Sequence, residues 1–515
     1  MSDPRSVGAM TGAGAFWGAS VAAPYAAAAL RHPRRNAIVD DYGAITYRQL
    51  DWRTTRVAGA FRQLKLGPKS TIGILCRNHR GFVEANIAIA KIGARVVYLN
   101  TGLPPGQLAE VIKSEGISAV VADREFAYRL GDASDDVVVV IAAPEDDHSW
   151  SFPELKRYRV SMQVRHPWRI PDPVLLTSGT TGAPKGTNRS AGPRALSAAF
   201  GFLQTVPFRS GSVFVIPAPL FHAWGASQLV LASTLASTVV LRRSFDPEGV
   251  TKDVEANHAD VLIAVPVMLH RILDAGCDRD MSSLRIVACS GSALPGNLSD
   301  RWMDTYGDSL YNVYGSTEVG QVSVATPTDL RAAPGTAGRP IKGVGVRILN
   351  SSDHSAGPGL IGRIAVKSAN LFDGYTGGGS KEMIGSHMTI GDEGYFDAKG
   401  RLFVLGRADD MIISGGENIY PINIERSLLS NELVSEAVVV GVADDDLGNR
   451  VRAVIVTKSG AASSQVTKKL KAHLAGQLAP YEMPREYVYL EELPRNTSGK
   501  VLRNKLTDDV RELNK

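Results

Sequence analysis

From Thr71 to Asp123 the chain reads TIGILCRNHRGFVEANIAIAKIGARVVYLNTGLPPGQLAEVIKSEGISAVVAD. Three short apolar runs, TIGILC, RVVYL and SAVVAD, alternate with GFVEANIAIAKIG and PGQLAEVIKSEG, whose apolar residues return at helical spacing. Strands separated by helices cannot be joined as hairpins, so this order predicts parallel strands with helices on their faces. A second set follows: SVFVIPAP, SQLVLASTLAS, STVVLRR, PEGVTKDVEANH, DVLIAVP, VMLHRILDAG and LRIVACSGSALP, the last ending at Pro295. Two α/β layers in one large domain are expected.

Further along, helical periodicity fades. Over residues 334–405 short β-rich pieces with turn residues take over, among them VGVRIL, GRIAVKS and GRLFVLG, and predict a small β-barrel-like subdomain. The last hundred residues change again, with EAVVVGVAD and RVRAVIVTKSG as strands and SSQVTKKLKAHLAGQL as a helix, a compact α+β domain. The fold class expected is therefore α/β, with a large domain over 1–406 and a small α+β domain over 412–515, joined at 407–411.

The 515 residues exceed what one core sustains and suggest roughly three to four folding units. Apolar residues at 44% and charged residues at 21% exclude disordered and fibrous classes. A net charge of +5 without a long basic run gives no ground for nucleic-acid binding. Cys76, Cys277 and Cys289 have no CxxC spacing, which fits a reducing, cytoplasmic compartment and no structural zinc. The uncharged stretch SVGAMTGAGAFWGASVAAPYAAAAL, between Arg5 and Arg31, is rich in Ala and Gly and interrupted by Pro24. It reads as a packed segment ending in a helix rather than a signal peptide or a stable membrane insertion.

Chemistry is signalled by TSGTTGAPKGT, Thr177 to Thr187. Glycines let backbone N–H groups converge on phosphate oxygens, while hydroxyls and a lysine add donors and charge. A Walker A loop is excluded, because Pro184 precedes Lys185 and Gly186 separates it from Thr187. Four further stretches accompany it: YNVYGSTE (Tyr311–Glu318), TIGDEGYFD (Thr389–Asp397), GRADDMIISGGENIYP (Gly406–Pro421) and LPRNTSGKVLR (Leu493–Arg503). Together they resemble, in order and spacing, the signature set of the adenylate-forming superfamily, which includes acyl-CoA synthetases, luciferases of the firefly type and peptide-synthetase adenylation domains. The resemblance runs from HPRRNAIVDDYGAITYRQL to the C-terminal lysine motif, and is nearest to bacterial fatty-acyl-CoA synthetases.

That resemblance implies activation of a carboxylic acid by ATP and Mg²⁺ to acyl-AMP, followed by transfer to the thiol of CoA. Thr177, Ser178, Gly179, Thr180, Thr181, Gly182 and Lys185 resemble the loop that holds the β- and γ-phosphates. Thr317 and Glu318 match an α-phosphate contact and a Mg²⁺ ligand. Tyr314 resembles the residue stacked on adenine, with Asn312 and Gly315 beside it and Gly291, Ser292 and Ala293 as the opposite wall. Asp392 and Arg407 resemble the ribose-binding pair. Lys500 matches the lysine that a mobile C-terminal domain brings between carboxylate and α-phosphate, and Asp409 matches the hinge. Gly415 and Gly416 correspond to the loop that approaches pantetheine.

For the acid, His222 in APLFHAWG matches a position near the acyl group, with an ordinary packed histidine as the alternative; Trp224 and Gly225 follow it in the expected pocket. A helix over Phe221–Ser237 and the turn at Ser290–Ala293 are expected to border that pocket. The helix is apolar and lacks an acidic residue to hold an α-amino group, so a fatty or other hydrophobic acid is expected. Glu482 and Asn449 depart from the CoA-ligase pattern, which keeps open a carrier protein or separate partner as acceptor. A homodimer is a further candidate assembly, and a nucleotide-binding scaffold without turnover is the reading from a different class.

Overall fold

A computed structural model describes residues 17, 20–142, 152, 171–177, 184–188, 201–458, 460, 464–497 and 499–507. The chain is α/β, with a large N-terminal and a smaller C-terminal domain. Its residues form two compact units that do not follow chain order. One holds 1–264, 271–288 and 369–380; the other holds 265–270, 289–368 and 381–515.

In the first unit, the strands expected from Thr71 onward form a seven-stranded sheet. Val138–Ile141, Ala119–Ala122, Thr71–Leu75, Arg95–Tyr98 and Val174–Thr177 run parallel, in that order. Lys185–Asn188 and then Gly374–Tyr375 add antiparallel edges. The connecting helices Arg80–Ile92 and Pro105–Ser114 lie where the apolar periodicity placed them. The first ends at Gly93 with φ +72°, a left-handed cap that glycine adopts without strain. Leu75, Val97, Leu99, Leu108, Val120 and Val174 are among the residues that fill the core of this layer.

The second expected set forms another layer of the same unit. Asn36–Asp40, Thr238–Val240, Val213–Val215 and Val261–Ala264 run parallel, with Gly43–Thr46 antiparallel at the edge. Helix Tyr47–Gln63 starts with a reciprocal capping box between Thr46 and Gln49. The alanine-rich segment ends in helix Ala22–Arg31, with Ala22, Tyr25, Ala27 and Ala28 buried. Among the described residues no helix is long and apolar enough to cross a membrane.

The second unit carries the antiparallel strands Leu310–Ser316 and Gly320–Ala325, and a five-stranded antiparallel sheet between Gly345 and Arg407. Its C-terminal part is built on the long hairpin Val434–Asp444/Gly448–Thr457, flanked by the parallel strand Glu486–Tyr489. Side chains alternate across a hairpin, and both faces here are apolar. Val439, Val451, Ala453 and Ile455 pack on helices Pro421–Leu429 and Ser464–Ala475 through Ile424, Leu428, Leu470 and Leu474. Val438, Val440 and Val454 are covered instead by Leu490, Leu493 and Leu506, from the segment that carries Lys500.

Candidate active site

The expected nucleotide-binding residues converge within the second unit. Asp392 lies opposite Arg407 in the antiparallel register of two neighbouring strands. Tyr314 Oη donates to Asp392 Oδ2 at 2.6 Å, and Arg407 Nη1 lies 3.7 Å from Oδ1 while donating to the Ile390 carbonyl at 3.0 Å. Burial pushes the Asp392 carboxyl above the usual range, and the Glu318 charge adds to this. The Tyr314 hydroxyl and the charges of Arg407 and Lys500 oppose it without cancelling it. Burial and the Asp392 charge push the Tyr314 phenol well up. Lys500 and Glu318, distant in sequence, thus act electrostatically on one half-buried carboxylate that accepts hydrogen bonds, the property a ribose diol requires.

Thr317 and Glu318 occupy the turn between Leu310–Ser316 and Gly320–Ala325, where the Glu318 N–H donates to Ser316 Oγ at 3.3 Å. The strand pair slips register between Tyr314 and Gly315, and a Cβ on Gly315 would lie 2.1 Å from the Gly320 carbonyl oxygen. Gly315 is therefore needed for the bulge that presents the turn. Asn312 is buried, and its side-chain amide donates to the Thr336 carbonyl at 2.9 Å, which anchors the strand beneath Tyr314. Gly291, Ser292 and Ala293 are exposed, as a ligand-facing wall must be.

Lys500 is held by its neighbours. Its N–H donates to Asn496 Oδ1 at 3.0 Å, and its carbonyl accepts from the Asn496 N–H at 2.9 Å. Arg495 donates to the Gly499 carbonyl at 2.8 Å and pairs with Glu436. Gly499 has φ +83°, a conformation that strains any side chain. Sequence reading did not single out Arg495, Asn496 or Glu436. Asn496 and Arg495 stand inside the quoted lysine motif, but their partners could not be read from it.

In the first unit, Thr177 pairs with Lys185 across a hairpin, and Thr177 Oγ1 donates to the Lys185 carbonyl at 3.1 Å. Ser178, Gly179, Thr180, Thr181 and Gly182 lie outside the described residues. Lys185 is exposed, with its ammonium 5.7 Å from the Tyr375 ring centroid. The helix expected over Phe221–Ser237 is shorter, Ala223–Thr234. His222 is extended at its N-cap, and Ala236, at φ +49°, turns the chain away after its end. Trp224 Nε1 donates to the Ala264 carbonyl at 3.1 Å. A Cβ on Gly225 would stand 2.3 Å from the Pro219 carbonyl oxygen, so only glycine fits there. His222 differs from both: its Nε2 is buried without a hydrogen-bond partner among the described residues, and burial lowers its pKa from 6.5 to about 4.

Gly415 and Gly416 form the exposed two-residue turn of hairpin Ile412–Ser414/Glu417–Ile419, at φ +60° and +88°. Positive φ at both positions is what such a tight turn demands. Asp409 is exposed in the short 3₁₀ turn Ala408–Asp410. The two departures from the CoA-ligase pattern have local partners: Glu482 Oε2 accepts from the Ala479 N–H at 3.0 Å, and Asn449 Nδ2 donates to the Ile413 carbonyl at 3.2 Å.

Cys76, His79 and Asp123 place potential metal ligands within 4.8 Å of one another. Both ring nitrogens of His79 are already engaged, Nδ1 accepting from the Gly81 N–H at 3.0 Å and Nε2 donating to Asp123 at 2.7 Å. Burial and the Asp123 charge push the Cys76 thiol well up, away from the thiolate a metal needs. The cluster is architectural. Mg²⁺ instead suits Glu318, a hard oxygen donor whose charge, like that of Lys500, acts on Asp392.

Comparison with known proteins agrees. Residues 25–376 match the AMP-binding enzyme family, and residues 423–500 match the AMP-binding enzyme C-terminal domain. A 2-succinylbenzoate–CoA ligase of Bacillus cereus is 31% identical over 488 residues, covering 93% of this chain and 97% of the relative. An indoleacetate–CoA ligase of Aromatoleum aromaticum is 30% identical over 501 residues, covering 94% of each chain. In structure, o-succinylbenzoate CoA synthetase from Bacillus subtilis, in complex with its acyl-adenylate intermediate, has a TM-score of 0.83 at 28% identity, covering 94% of this chain and 98% of that one. The chain therefore belongs to the AMP-binding enzymes, the adenylate-forming family, among its acid–thiol ligases.

Proposed function

We propose that this protein joins a hydrophobic carboxylic acid to CoA through an acyl-AMP intermediate, with ring-bearing acids as the leading substrates. The observation that carries the reading is the half-buried Tyr314–Asp392 pair, with Arg407 3.7 Å from the carboxylate and the charges of Lys500 and Glu318 acting on it. Such a grouping of charges suits two anions brought together, which is the central difficulty of the reaction. Ring-bearing acids lead because relatives of this chain are named for 2-succinylbenzoate and indoleacetate. The apolar helix after His222 supports a hydrophobic acid.

In the first half-reaction a carboxylate oxygen attacks the α-phosphorus of ATP. The new acyl–phosphate bond forms as the α–β phosphoanhydride bond breaks, and pyrophosphate leaves with the electron pair. The Lys500 ammonium donates to the incoming carboxylate and to the α-phosphate oxygen, offsetting their repulsion. Asp392 accepts from the ribose hydroxyls, Arg407 fixes that carboxylate, and Tyr314 offers its ring to adenine. Thr177 and Lys185 belong to the loop expected on the terminal phosphates. Mg²⁺, held by Glu318, supplies charge neutralisation for the leaving pyrophosphate.

In the second half-reaction the CoA sulfur attacks the acyl carbon, the bond to AMP breaks, and the thiol proton passes to solvent. Gly415 and Gly416 leave room for pantetheine beside the backbone, and Asp409 is the pivot that exchanges the two half-reactions. Glu482 and Asn449, engaged in local capping, give no support to a carrier protein as acceptor.

The test is incubation with ATP, Mg²⁺ and CoA against a panel of aromatic, arylalkyl and fatty acids, with products read by mass spectrometry. AMP and one acyl-CoA appearing in equal amounts is the expected result. Acyl-AMP that accumulates equally with and without CoA would overturn the assignment of the acceptor.

A further inference from the structure

Helix Pro266–Ala275 follows strand Val261–Ala264, yet residues 265–270 group with the compact unit that holds the C-terminal segment. The Lys500 turn lies against this stretch. A Cβ on Gly499 would stand 2.6 Å from Val267 Cγ1 and 3.5 Å from Val265 Cγ2, so the turn lies close against Val267 with no room for a side chain, and Val265 is near it. Val265 also lies beneath the exposed wall, since a Cβ on Gly291 would be 3.3 Å from its Cγ1. Val265 thus lies near both the Lys500 turn and Gly291 of the wall.

Three residues after Val267, on the same half-buried face of the helix, His270 donates from Nε2 to the Ser435 carbonyl at 3.0 Å. Ser435 adjoins Glu436, which holds Arg495, and Arg495 holds the Gly499 carbonyl at 2.8 Å. The helix turn therefore reaches Lys500 by two routes: direct packing of Val267 on Gly499, and the line from His270 through Ser435, Glu436 and Arg495.

We propose that Val267 and His270 are positioning residues that seat the Lys500 turn for acyl-AMP formation. Neither is assigned to substrate. Their role follows from geometry: an ammonium that bridges two reacting groups loses effect when displaced by about 1 Å, and these residues fix where its turn rests. The inference depends on the proposed role of Lys500 in the first half-reaction.

The experiment separates the two half-reactions. Acid-dependent exchange of pyrophosphate into ATP reads the first, and conversion of supplied acyl-AMP and CoA to thioester reads the second. His270→Ala removes one hydrogen bond and is expected to slow exchange roughly three- to tenfold while thioester formation stays within about twofold. His270→Gln, whose amide can donate to the same carbonyl, is expected to recover most of the exchange rate. Val267→Phe, which crowds Gly499, is expected to slow exchange at least about tenfold with the same sparing of the second step. Melting temperatures are taken for each variant. Equal losses in both half-reactions, or undiminished exchange in both His270→Ala and Val267→Phe, would overturn the seat. Absence of exchange in the unaltered protein for every acid would instead overturn the proposed function, and the seat with it.

Discussion

His79 and His222 both stand at the N-cap of a helix in the same compact unit, and the fold uses them in opposite ways. His79 caps its helix by accepting from the Gly81 N–H and turns its other nitrogen to Asp123. Asp123 also accepts from the Arg77 N–H at 3.0 Å and from Arg243 at 3.2 Å. Both ring nitrogens of His79 and both carboxylate oxygens of Asp123 have partners. His222 makes no side-chain cap, and its buried Nε2 has no hydrogen-bond partner among the described residues. A buried polar atom without a partner costs stability, and native proteins keep few of them. The difference sets a histidine that builds the large domain apart from one that we propose is kept available for a ligand.

The comparison breaks most visibly at Asp123. Asp123→Ala leaves the buried His79 Nε2–H without its acceptor and Arg243 with Glu125 alone, and is expected to cost about 3–5 kcal/mol in denaturant unfolding. The KM for the acid should be unchanged in the fraction that remains folded. Burial alone would raise the Asp123 pKa, but His79, Arg243 and the Arg77 N–H outweigh it and hold the pKa below its ordinary value. Its stabilisation is therefore present above the ordinary carboxylate pKa of about 4 and lost as pH falls through the lower folded value. An Asp123→Ala protein as stable as the parent would mean that the network is dispensable.

His222 should behave in the reverse manner. His222→Phe keeps an aromatic ring and removes the unpartnered nitrogen. Stability is expected to hold or rise by about 1 kcal/mol, while kcat/KM for the acid falls about tenfold. A stability loss comparable to that of Asp123→Ala, with kcat/KM intact, would place His222 with the architecture.

The smallest effect is in pH dependence. With its pKa lowered from 6.5 to about 4 by burial, His222 is neutral at the pH of ordinary assays. Protonation favours the unfolded chain, so the stability tied to this group is full above pH 6.5 and declines as pH falls toward 4. The slope of stability between those values should flatten in His222→Phe. An identical slope in both proteins would contradict the lowered pKa.

The contrast also marks what could be read before the structure. His222 was legible because it stands in a quoted motif, although the motif left open whether it was packed or functional. His79 and Asp123, 44 residues apart, carried no local signal. The parallel strands were legible because burial on both faces writes short continuous apolar runs, as TIGIL, RVVY and AVVA show, and the helices between them because burial on one side writes a helical period. Domain order along the chain was legible too, but the grouping of residues 265–270 with the C-terminal segment was not, because contacts between distant residues leave no period. Glu436 and Arg495, 59 residues apart, brace the lysine turn for the same reason unseen. Tyr314, Asp392 and Arg407 were named from their motifs, and the structure joins them at the Asp392 carboxylate, whose charge Glu318 and Lys500 also influence. Of the phosphate loop, only its stems Thr177 and Lys185 fall within the described residues.

The most direct test of the account is Lys500→Ala, followed through both half-reactions with the acid that gives the highest rate. Acid-dependent pyrophosphate exchange is expected to fall at least about a hundredfold, while thioester formation from supplied acyl-AMP and CoA continues near the unaltered rate. Equal loss of both steps, or exchange that persists, would contradict the central claim that Lys500 serves the formation of acyl-AMP.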